Sequence, residues 1–559
     1  MENFISSIGS LRPLLTVIAA SVATLIAGQA SAMKLDSGSE DVEIRFDNTV
    51  KYNAGWRAQN RDSRIGDTWG NQAGDYKFDN GNMVTNRFDL FSEFDLIYKN
   101  HYGFRLSGAA WKDKAYDESV TGNPAYQKAG LGTAYPQNKF SRSVSRYYTQ
   151  SGEILDAFVF GRINFDESPL SLKAGKHALY WGESLFSPIH GVSYAQAPLD
   201  LRKGVANAGI EVKELFLPTN QFSAHLQVNP KLSLAFQLPL DWKPNRFYEG
   251  GTYFTAADAL FQGGTSFLPN GLLGYNGDVE TGPNAKPKNR GSFGLMMKAQ
   301  SETIDGTVGF YARRFDEMSP AVLLNTAVIR NGLPTLDNAY AKGVRLMGVS
   351  LAKAIGGVAV GAELVSRQNA TLSTQGGKTQ IARGDVWTGL VNAVAYIGKT
   401  SVFDSAVLLA EGTFTSLAKV NSDSVDLVNS CAKTGSAFGC TTKDSFAIST
   451  TFTPTWFQVF PSVDVTLPIH YERGISGNSA IGGGGTKNDG AWSIGLGTEY
   501  KGKYKVDLAY HSYFGPLDVK ANDFAGVPGI GPLGIGAGSG TNGALSDRAW
   551  VSLTLKTSF

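Results

Sequence analysis

The last ten residues, 550–559, constrain the fold more than any other stretch of the chain. Val551, Leu553, Leu555 and Phe559 lie on one side of an extended strand, and mostly polar side chains lie on the other. A terminal apolar strand needs a partner for its edge. A closed outer-membrane barrel supplies that partner, because its last strand pairs with its first and its outer face meets lipid. An edge strand of a soluble β-sandwich is the alternative for the tail alone.

The first 32 residues have the features of an export signal. Arg12 precedes an apolar run over residues 14–26, and Ala30-Ser31-Ala32 is a small-residue cleavage motif. We therefore expect cleavage after Ala32 and a single domain over residues 33–559, with a retained membrane anchor as the alternative.

Composition favours membrane-spanning strands over helices. Beyond the signal no run of roughly 18 apolar residues occurs, whereas a barrel strand needs only about 9–11 residues, half of them polar. The chain has 65 Gly, 11% aromatic and only 18% charged residues. Its formal net charge is +2 and it has no basic run, so no nucleic-acid partner is expected.

Short and long connections alternate along the chain. Tight turns near residues 99–101 and 501–503 contrast with long loops at 112–151, 243–290 and 515–546. This alternation predicts an all-β transmembrane antiparallel barrel of about 18 strands (range 16–20), with short periplasmic turns and long extracellular loops. A soluble sandwich or propeller is the alternative. The expected strands lie near residues 44–56, 88–98, 104–111, 155–163, 170–175, 222–228, 232–240, 292–299, 303–315, 343–354, 358–367, 386–397, 402–414, 445–457, 462–471, 492–500, 504–514 and 550–559.

The strand pattern breaks between residues 178 and 220. A barrel of about 18 strands has a lumen too wide for its own side chains to fill, so we expect this segment to fold inward as a plug or constriction. An extracellular loop with one more strand at 210–217 is the alternative. The residues expected to face a permeant are Trp181, Glu183, Asp200, Arg202 and Lys203. Expected inward wall partners are Glu93, Asp95, Arg105, Asp156, Arg162 and Lys173, although such charges can simply pair with one another.

Two cysteines, Cys431 and Cys440, lie close together in the sequence. In an exported chain this spacing predicts one local disulfide. No His or Asp cluster accompanies them, so neither a metal site nor a cofactor is expected.

Several motifs resemble one family of large Gram-negative outer-membrane barrels, catalogued as domain of unknown function 1302. The matching stretches are residues 47–52, 55–57, 86–88, 93–96, 172–176, 181–184, 199–200, 214–215 and 217–218. Lys176, His177 and Tyr180 stand where the family usually has Arg, Gln and Asn. The resemblance implies a porin-like barrel, often associated with a periplasmic lipid-binding-type partner and a resistance-nodulation-division transporter. It also implies hydrophobic cargo such as steroids, alkanes or aromatic acids.

The sequence favours a channel for small, hydrophobic or aromatic molecules over an enzyme. Phe91, Trp111, Phe158, Phe160 and Tyr311 alternate onto the predicted inner face. Only about a dozen residues precede the first strand after the signal, too few for an energised N-terminal plug. An adhesin or structural barrel acting through the long loops is one alternative. A lipase- or protease-type barrel is less favoured, because the six histidines form no nucleophile–base arrangement.

Overall fold

The computed structural model describes residues 33–165, 168–206, 208, 212–255, 257–258, 274–278, 285–288, 291–330, 333–373, 380–421, 441–517 and 541–559. The predicted signal and the predicted Cys431–Cys440 disulfide lie outside these residues. Among the described residues, no helix combines the length and apolar character needed to cross a membrane.

The described strands form one closed antiparallel wall and one small separate sheet. In chain order they are β1 (Met33–Leu35), β2 (Val42–Arg57), β3 (Met83–Tyr98), β4 (Tyr102–Asp113), β5 (Gln150–Phe165), β6 (Ser168–His177), β7 (Thr219–Asn229), β8 (Leu232–Pro239), β9 (Tyr275–Asp278), β10 (Phe293–Ser301), β11 (Gly306–Phe315), β12 (Ala321–Arg330), β13 (Leu333–Ala339), β14 (Val344–Ile355), β15 (Val358–Thr371), β16 (Arg383–Ile397), β17 (Ser405–Val420), β18 (Asp444–Phe460), β19 (Val463–Thr466), β20 (Ile469–Ser476), β21 (Gly490–Tyr500), β22 (Tyr504–Phe514) and β23 (Trp550–Ser558).

The first and last wall strands close the barrel. β2 and β23 pair from Thr49↔Ser558 to Arg57↔Trp550, so neither strand keeps a free edge. β1 is a three-residue strand that pairs antiparallel with the start of β2, from Met33↔Phe46 to Leu35↔Ile44. β19 and β20 are two halves of one strand, since both pair with β18. The described wall therefore has 18 strands, which confirms the predicted barrel.

Side chains alternate between a lipid-facing and a lumen-facing surface. On β22, Tyr504, Val506 and Leu508 are 49%, 40% and 49% exposed on the outer face, while Lys505 and Asp507 point the other way. Exposed aromatics such as Tyr98, Tyr102 and Tyr500 mark the end of the wall that carries the turns. An apolar outer band with aromatic ends is the surface of an outer-membrane barrel.

Two backbone features explain local breaks in this regular wall. Lys99 and Asn100 adopt left-handed φ angles of 48° and 56° in the tight turn between β3 and β4, a conformation that Asn tolerates well. Pro468 separates β19 from β20, because proline has no N–H to donate to the ladder. Its carbonyl still accepts from the Gly495 amide at 2.9 Å.

The connections at the loop end carry more structure than predicted. The described helices are α1 (Ser63–Gly66), α2 (Gln72–Lys77), α3 (Pro124–Lys128), α4 (Arg142–Thr149), α5 (Leu201–Ala206) and α6 (Val212–Leu215), with 3-10 turns at Trp69–Asn71, Pro136–Asn138, Pro188–His190 and Gly543–Leu545. Strands β9, β12 and β13 form the small second sheet. The alternative strand at 210–217 does not form over its described residues, since α6 occupies 212–215.

A buried aromatic cap, built from residues 58–82, 114–149, 243–255 and 541–549, fills the loop end beside β2–β5 and β23. Of these stretches, residues 114–149 were expected to form a long loop, and they instead contain α3, α4 and buried aromatic side chains. Their aromatic side chains are scattered without strand or helix periodicity, and they meet only in three dimensions. The main buried members are Trp69, Phe78, Tyr116, Tyr126, Tyr135, Phe140, Tyr147, Tyr148, Tyr253 and Phe254, packed against Trp550 of the wall.

Candidate functional site

The chain between β6 and β7 crosses the inside of the barrel. Its first half contacts inward-facing side chains of β8, β10, β11, β15, β16, β17 and β20. Its second half returns to β2, β3 and β5. We call residues 178–218 the lumen segment; it begins and ends between two strands that pair directly, at His177↔Thr219.

Trp181 anchors the lumen segment on an apolar part of the inner wall. Its side chain is 7% exposed and packs with Val192, Met296, Tyr311 and other buried residues. A Cβ on Gly294 would lie 2.9 Å from the Trp181 ring, so β10 offers a glycine where the indole sits. Trp181 therefore fixes the segment to the wall instead of facing an open passage.

Glu183 lies next in the segment and is only partly buried. Its Oε1 is 2.8 Å from Nζ of Lys298 on β10. Its backbone carbonyl accepts from Nδ2 of Asn392 on β16 at 2.6 Å. Among the five predicted permeant-facing residues, Glu183 is the one that is not buried.

Two wall carboxylates bind the backbone of the segment. Glu411 on β17 accepts from the amides of Leu185, Phe186 and Ser187 at 2.7, 3.2 and 2.7 Å. Glu363 on β15 accepts from the amides of Glu183 and Val192, the latter at 2.6 Å. Both side chains are buried, with residue exposures of 2% and 4% respectively.

Other wall residues hold the backbone carbonyls of the segment. Arg313 on β11 donates to the carbonyls of Val192, Tyr194 and Ala195 at 2.8, 2.6 and 3.0 Å. Thr388 on β16 donates to the carbonyl of His190 at 3.0 Å. The wall thus binds the main chain of the segment as well as side chains such as Trp181 and Glu183.

The three charged candidates at 200–203 lie in a buried ion network. Asp200 accepts from Arg202 at 3.3 Å and from Arg246 at 2.9 Å. Arg202 also pairs with Glu249 at 2.6 Å, and Lys203 pairs with Glu153 of β5 at 2.8 Å. Burial raises the pKa of the Asp200 carboxyl, but Arg202, Arg246 and Lys203 outweigh it and hold that pKa well below its usual range.

Asp200, Arg202 and Lys203 are 0%, 8% and 2% exposed. In this arrangement they join the segment to the aromatic cap and the wall. The Arg202 guanidinium also lies 3.4 Å from the centroid of the Tyr147 ring. Mutual pairing, which the sequence left open for such charges, accounts for these contacts.

A second charged cluster sits on β3 and β4. Arg105 forms a bidentate pair with Asp95, with Nε–Oδ1 and Nη2–Oδ2 distances of 2.7 and 2.6 Å. Glu93 lies 3.8 Å from Arg105 and also pairs with Lys213 of the lumen segment. These predicted wall residues thus contact the segment through Lys213.

Asp156, Arg162 and Lys173 lie on the inner faces of β5 and β6. Asp156 accepts from Ser107 Oγ at 3.0 Å, and Arg162 Nε lies 3.2 Å from Asn164 Oδ1. Lys173 Nζ lies 5.2 Å from the centroid of the Phe158 ring. Arg162 and Lys173 are exposed, and the Arg105 side chain is 38% exposed.

A small cavity of about 50 Å³ lies against the lumen segment. Its described lining is mainly apolar and contains no charged side chain. The polar groups are Ser193, Tyr194, Asn245 and Ser319. The apolar side chains are Pro188, Ile189, Ala195, Ala197, Leu199, Leu201, Phe216 and Met318, with Gly483 completing the lining.

The wall residues that bind the segment were missed from the sequence. Glu363, Glu411 and Arg313 lie on strands of mostly apolar and small residues, each with one further charged residue. A buried inward charge in such a strand signals a buried partner, because burying an unpaired charge is costly. These positions could therefore have been identified from the sequence. The sequence could not show that their partner is the main chain of the lumen segment. No group of three metal-ligating side chains occurs in the part of the chain described here.

Several solved structures are similar to the chain at low sequence identity. The outer membrane channel DcaP of Acinetobacter baumannii is 9% identical, with a TM-score of 0.36 over 95% of this chain and 100% of that one. Pseudomonas aeruginosa OpdK, solved with vanillate, is 9% identical, with a TM-score of 0.38 over 92% and 98%. Acinetobacter baumannii OccAB1 is 8% identical, with a TM-score of 0.41 over 95% and 99%.

No curated protein matches the chain. A family model does match, over residues 14–559, which is nearly the full length. Its description is "Protein of unknown function (DUF1302)". The chain therefore belongs to the DUF1302 family, as its motifs indicated.

Proposed function

We propose that this protein is an outer-membrane channel for small molecules and that the lumen segment is its constriction. The observation that carries this proposal is a closed barrel whose interior is crossed by a segment held by wall side chains. The constriction comes from within the barrel sequence, so the channel has no need of a separate plug domain. Passage follows the concentration gradient of the cargo.

The cavity beside the segment supports a hydrophobic or aromatic cargo. Its lining is mainly apolar, with a few hydroxyl and amide groups that suit one polar substituent. Its volume of about 50 Å³ is smaller than the roughly 150 Å³ of a cavity that binds benzene. An aromatic molecule would therefore require the segment to move during passage.

The adhesin alternative draws less support from the described loops. Residues 114–149 turn their aromatic side chains into the cap instead of presenting them outward. Among the described residues, the His177–Ser223 pair does not favour the enzyme alternative. His177 contacts Ser223 Oγ at 2.8 Å, but its other ring nitrogen meets the Gly175 carbonyl at 3.0 Å, where a catalytic pair would have a carboxylate. We therefore favour a non-enzymatic channel.

Three further parts of the proposal come from the sequence alone. They are export by a cleaved signal ending at Ala32, a periplasmic partner protein, and a transporter of the resistance-nodulation-division type. These stay predictions, and the mass of the protein isolated from outer membranes tests the first directly.

Current block by candidate cargo tests the channel and its selectivity together. Single channels in planar bilayers are recorded with a neutral aromatic alcohol, and then with glucose as a polar comparison. We expect the aromatic alcohol to interrupt the current at concentrations where glucose does not. Equal effects of both solutes would contradict the cargo class, and a protein that inserts but never conducts would contradict the channel and favour the adhesin.

A further inference from the structure

We propose that Glu363 and Glu411 hold the lumen segment in its closed position, so that release of these two carboxylates opens the constriction. The claim that release opens the constriction rests on the proposed channel function; we call this the opening role. The claim that the two carboxylates hold the segment, the holding role, does not, and the experiments below test the two roles separately.

Glu411 acts as a single acceptor for three consecutive amides. Its Oε1 receives the N–H groups of Phe186 and Ser187, and its Oε2 receives that of Leu185. Carboxylate bonds to backbone amides are charge-assisted and stronger than neutral ones. Three converging donors therefore define the position of residues 185–187 against β17.

Glu363 repeats this arrangement two strands away. Its two oxygens receive the amides of Glu183 and Val192, which are separated by a turn of the segment. The carboxylate also lies between two glycines: a Cβ on Gly182 would be 2.4 Å from Oε1, and a Cβ on Gly191 would be 2.9 Å from Oε2. The segment thus has glycine at both places where a side chain would push Glu363 away.

Neither carboxylate has a cation to replace the segment. Across the described residues, no Lys, Arg or His nitrogen lies within 4.0 Å of Glu363 or Glu411. Asn392 lies between them and reaches Glu411 Oε2 only at 3.5 Å. Amide groups are therefore the hydrogen-bond donors to these two carboxylates, and most of them belong to the segment. When the segment leaves the wall, water can take the place of these donors.

Four wall residues hold the first half of the segment by its main chain, in addition to the side-chain contacts of Trp181 and Glu183. The bonds from Glu363, Glu411, Arg313 and Thr388 all end on main-chain atoms, so they impose little demand on which side chains enter the lumen. The cavity next to the segment is too small for an aromatic molecule while these bonds are made. The two carboxylates are therefore the groups whose release would widen the passage.

Hydrogen–deuterium exchange on the full-length protein in detergent micelles tests the holding role without reference to transport. E411Q and E363Q keep the side-chain shape but replace an acceptor oxygen with a donor. We expect E411Q to speed exchange of the 185–187 amides at least tenfold, and E363Q to do the same for 183 and 192. D507N, an acid-to-amide change on β22 away from the segment, serves as the matched control and should leave these amides unchanged.

G191A provides a second route that retains both carboxylates. Gly191 has an ordinary φ of −98°, so alanine is allowed by the backbone, and its methyl group would displace the Glu363 carboxylate. We expect the same faster exchange at 183 and 192 as in E363Q. This variant keeps the test decisive if a glutamine variant fails to assemble.

Conductance of the same proteins completes the test. Faster exchange together with a larger single-channel current supports both the holding and the opening role. Faster exchange without current in any variant supports the holding role and contradicts the channel. Unchanged exchange in E411Q, E363Q and G191A would overturn the proposal, whatever current is recorded.

Discussion

Arg57, at the end of β2, pairs with Asp547, in the turn that leads into the last strand, β23. Arg57 Nη2 lies 3.2 Å from Asp547 Oδ2 and 3.0 Å from Asp75 Oδ1, and all three side chains are almost fully buried. The same guanidinium donates to the carbonyls of Gln59, Phe78 and Asp547 at 2.9, 2.8 and 2.9 Å. One side chain therefore connects the barrel seam to the aromatic cap.

Removing this guanidinium should destabilise the folded barrel. R57A removes one of the two guanidinium groups that pair with the buried carboxylates of Asp75 and Asp547, and leaves only Arg548. Removing one member of a buried ion pair costs up to about 3–5 kcal/mol. We expect a clear fall in the temperature at which the folded band is lost on semi-native gels. R57K retains the positive charge but not the planar guanidinium group, so its transition temperature should lie between those of wild type and R57A. A wild-type transition temperature for R57A would contradict this role.

Asp258 should make stability depend on pH. Burial raises the pKa of its carboxyl from the usual 3.8 to about 7, although the Ala73 amide and Arg548 act against the rise. The carboxyl has a higher pKa in the folded protein than in the unfolded chain, so protonation favours the folded state. This stabilisation is complete below about pH 4 and is lost as the pH rises towards 7. D258N should have the same free energy of unfolding as wild type near pH 4. At pH 8 its free energy of unfolding should exceed that of wild type by on the order of 2–4 kcal/mol.

Asp117 should make stability depend on pH in the opposite direction, and so serves as a control. Burial would raise the pKa of its carboxyl, but Lys77 and Ser119 outweigh burial and lower the pKa to about 2. With the folded pKa below the unfolded one, its contribution is present above pH 4 and is lost as pH falls through about 2. D117N should therefore be slightly less stable than wild type at pH 8; the same sign for both variants would contradict this electrostatic account.

Trp181 should be essential for docking the first half of the lumen segment. W181A removes a buried indole from a packed wall site, a change that typically costs about 3–5 kcal/mol. We expect faster hydrogen exchange over residues 181–196, with the wall strands β2–β4 unaffected. W181F should show a smaller change in the same direction, and uniform exchange across the protein would instead indicate global unfolding.

The wall could be predicted from sequence because each strand carries its own signal. The alternation of Val506, Leu508 and Tyr510 with polar residues fixes strand and face together, and the short turns fix the pairing order. The ends of the strands were harder to predict. β5 runs from Gln150 to Phe165, beyond the expected 155–163, because its hydrogen-bonded pairing with β4 continues through polar residues. The small sheet of β9, β12 and β13 was also missed.

The interior could be predicted only in part. The break in pattern marked the lumen segment, but its partners Glu363 and Glu411 lie about two hundred residues further along the chain. The cap depends on contacts such as Phe254 with Trp550, whose ring centroids are 5.1 Å apart. Contacts between such distant residues leave no local periodicity, so a single sequence does not reveal them.

The central claim is a channel constricted by its own lumen segment, and single-channel conductance tests it most directly. Residues 179–217 are replaced by a four-residue Gly/Ser turn, which is compatible with the existing His177↔Thr219 pair between β6 and β7. A variant shortened between β17 and β18 over residues 422–440 serves as the control. We predict small or gated conductance for wild type and control, and large, steady conductance for the replacement. Equally large conductance in all three proteins would contradict a constriction, and no conductance in any of them would contradict a channel.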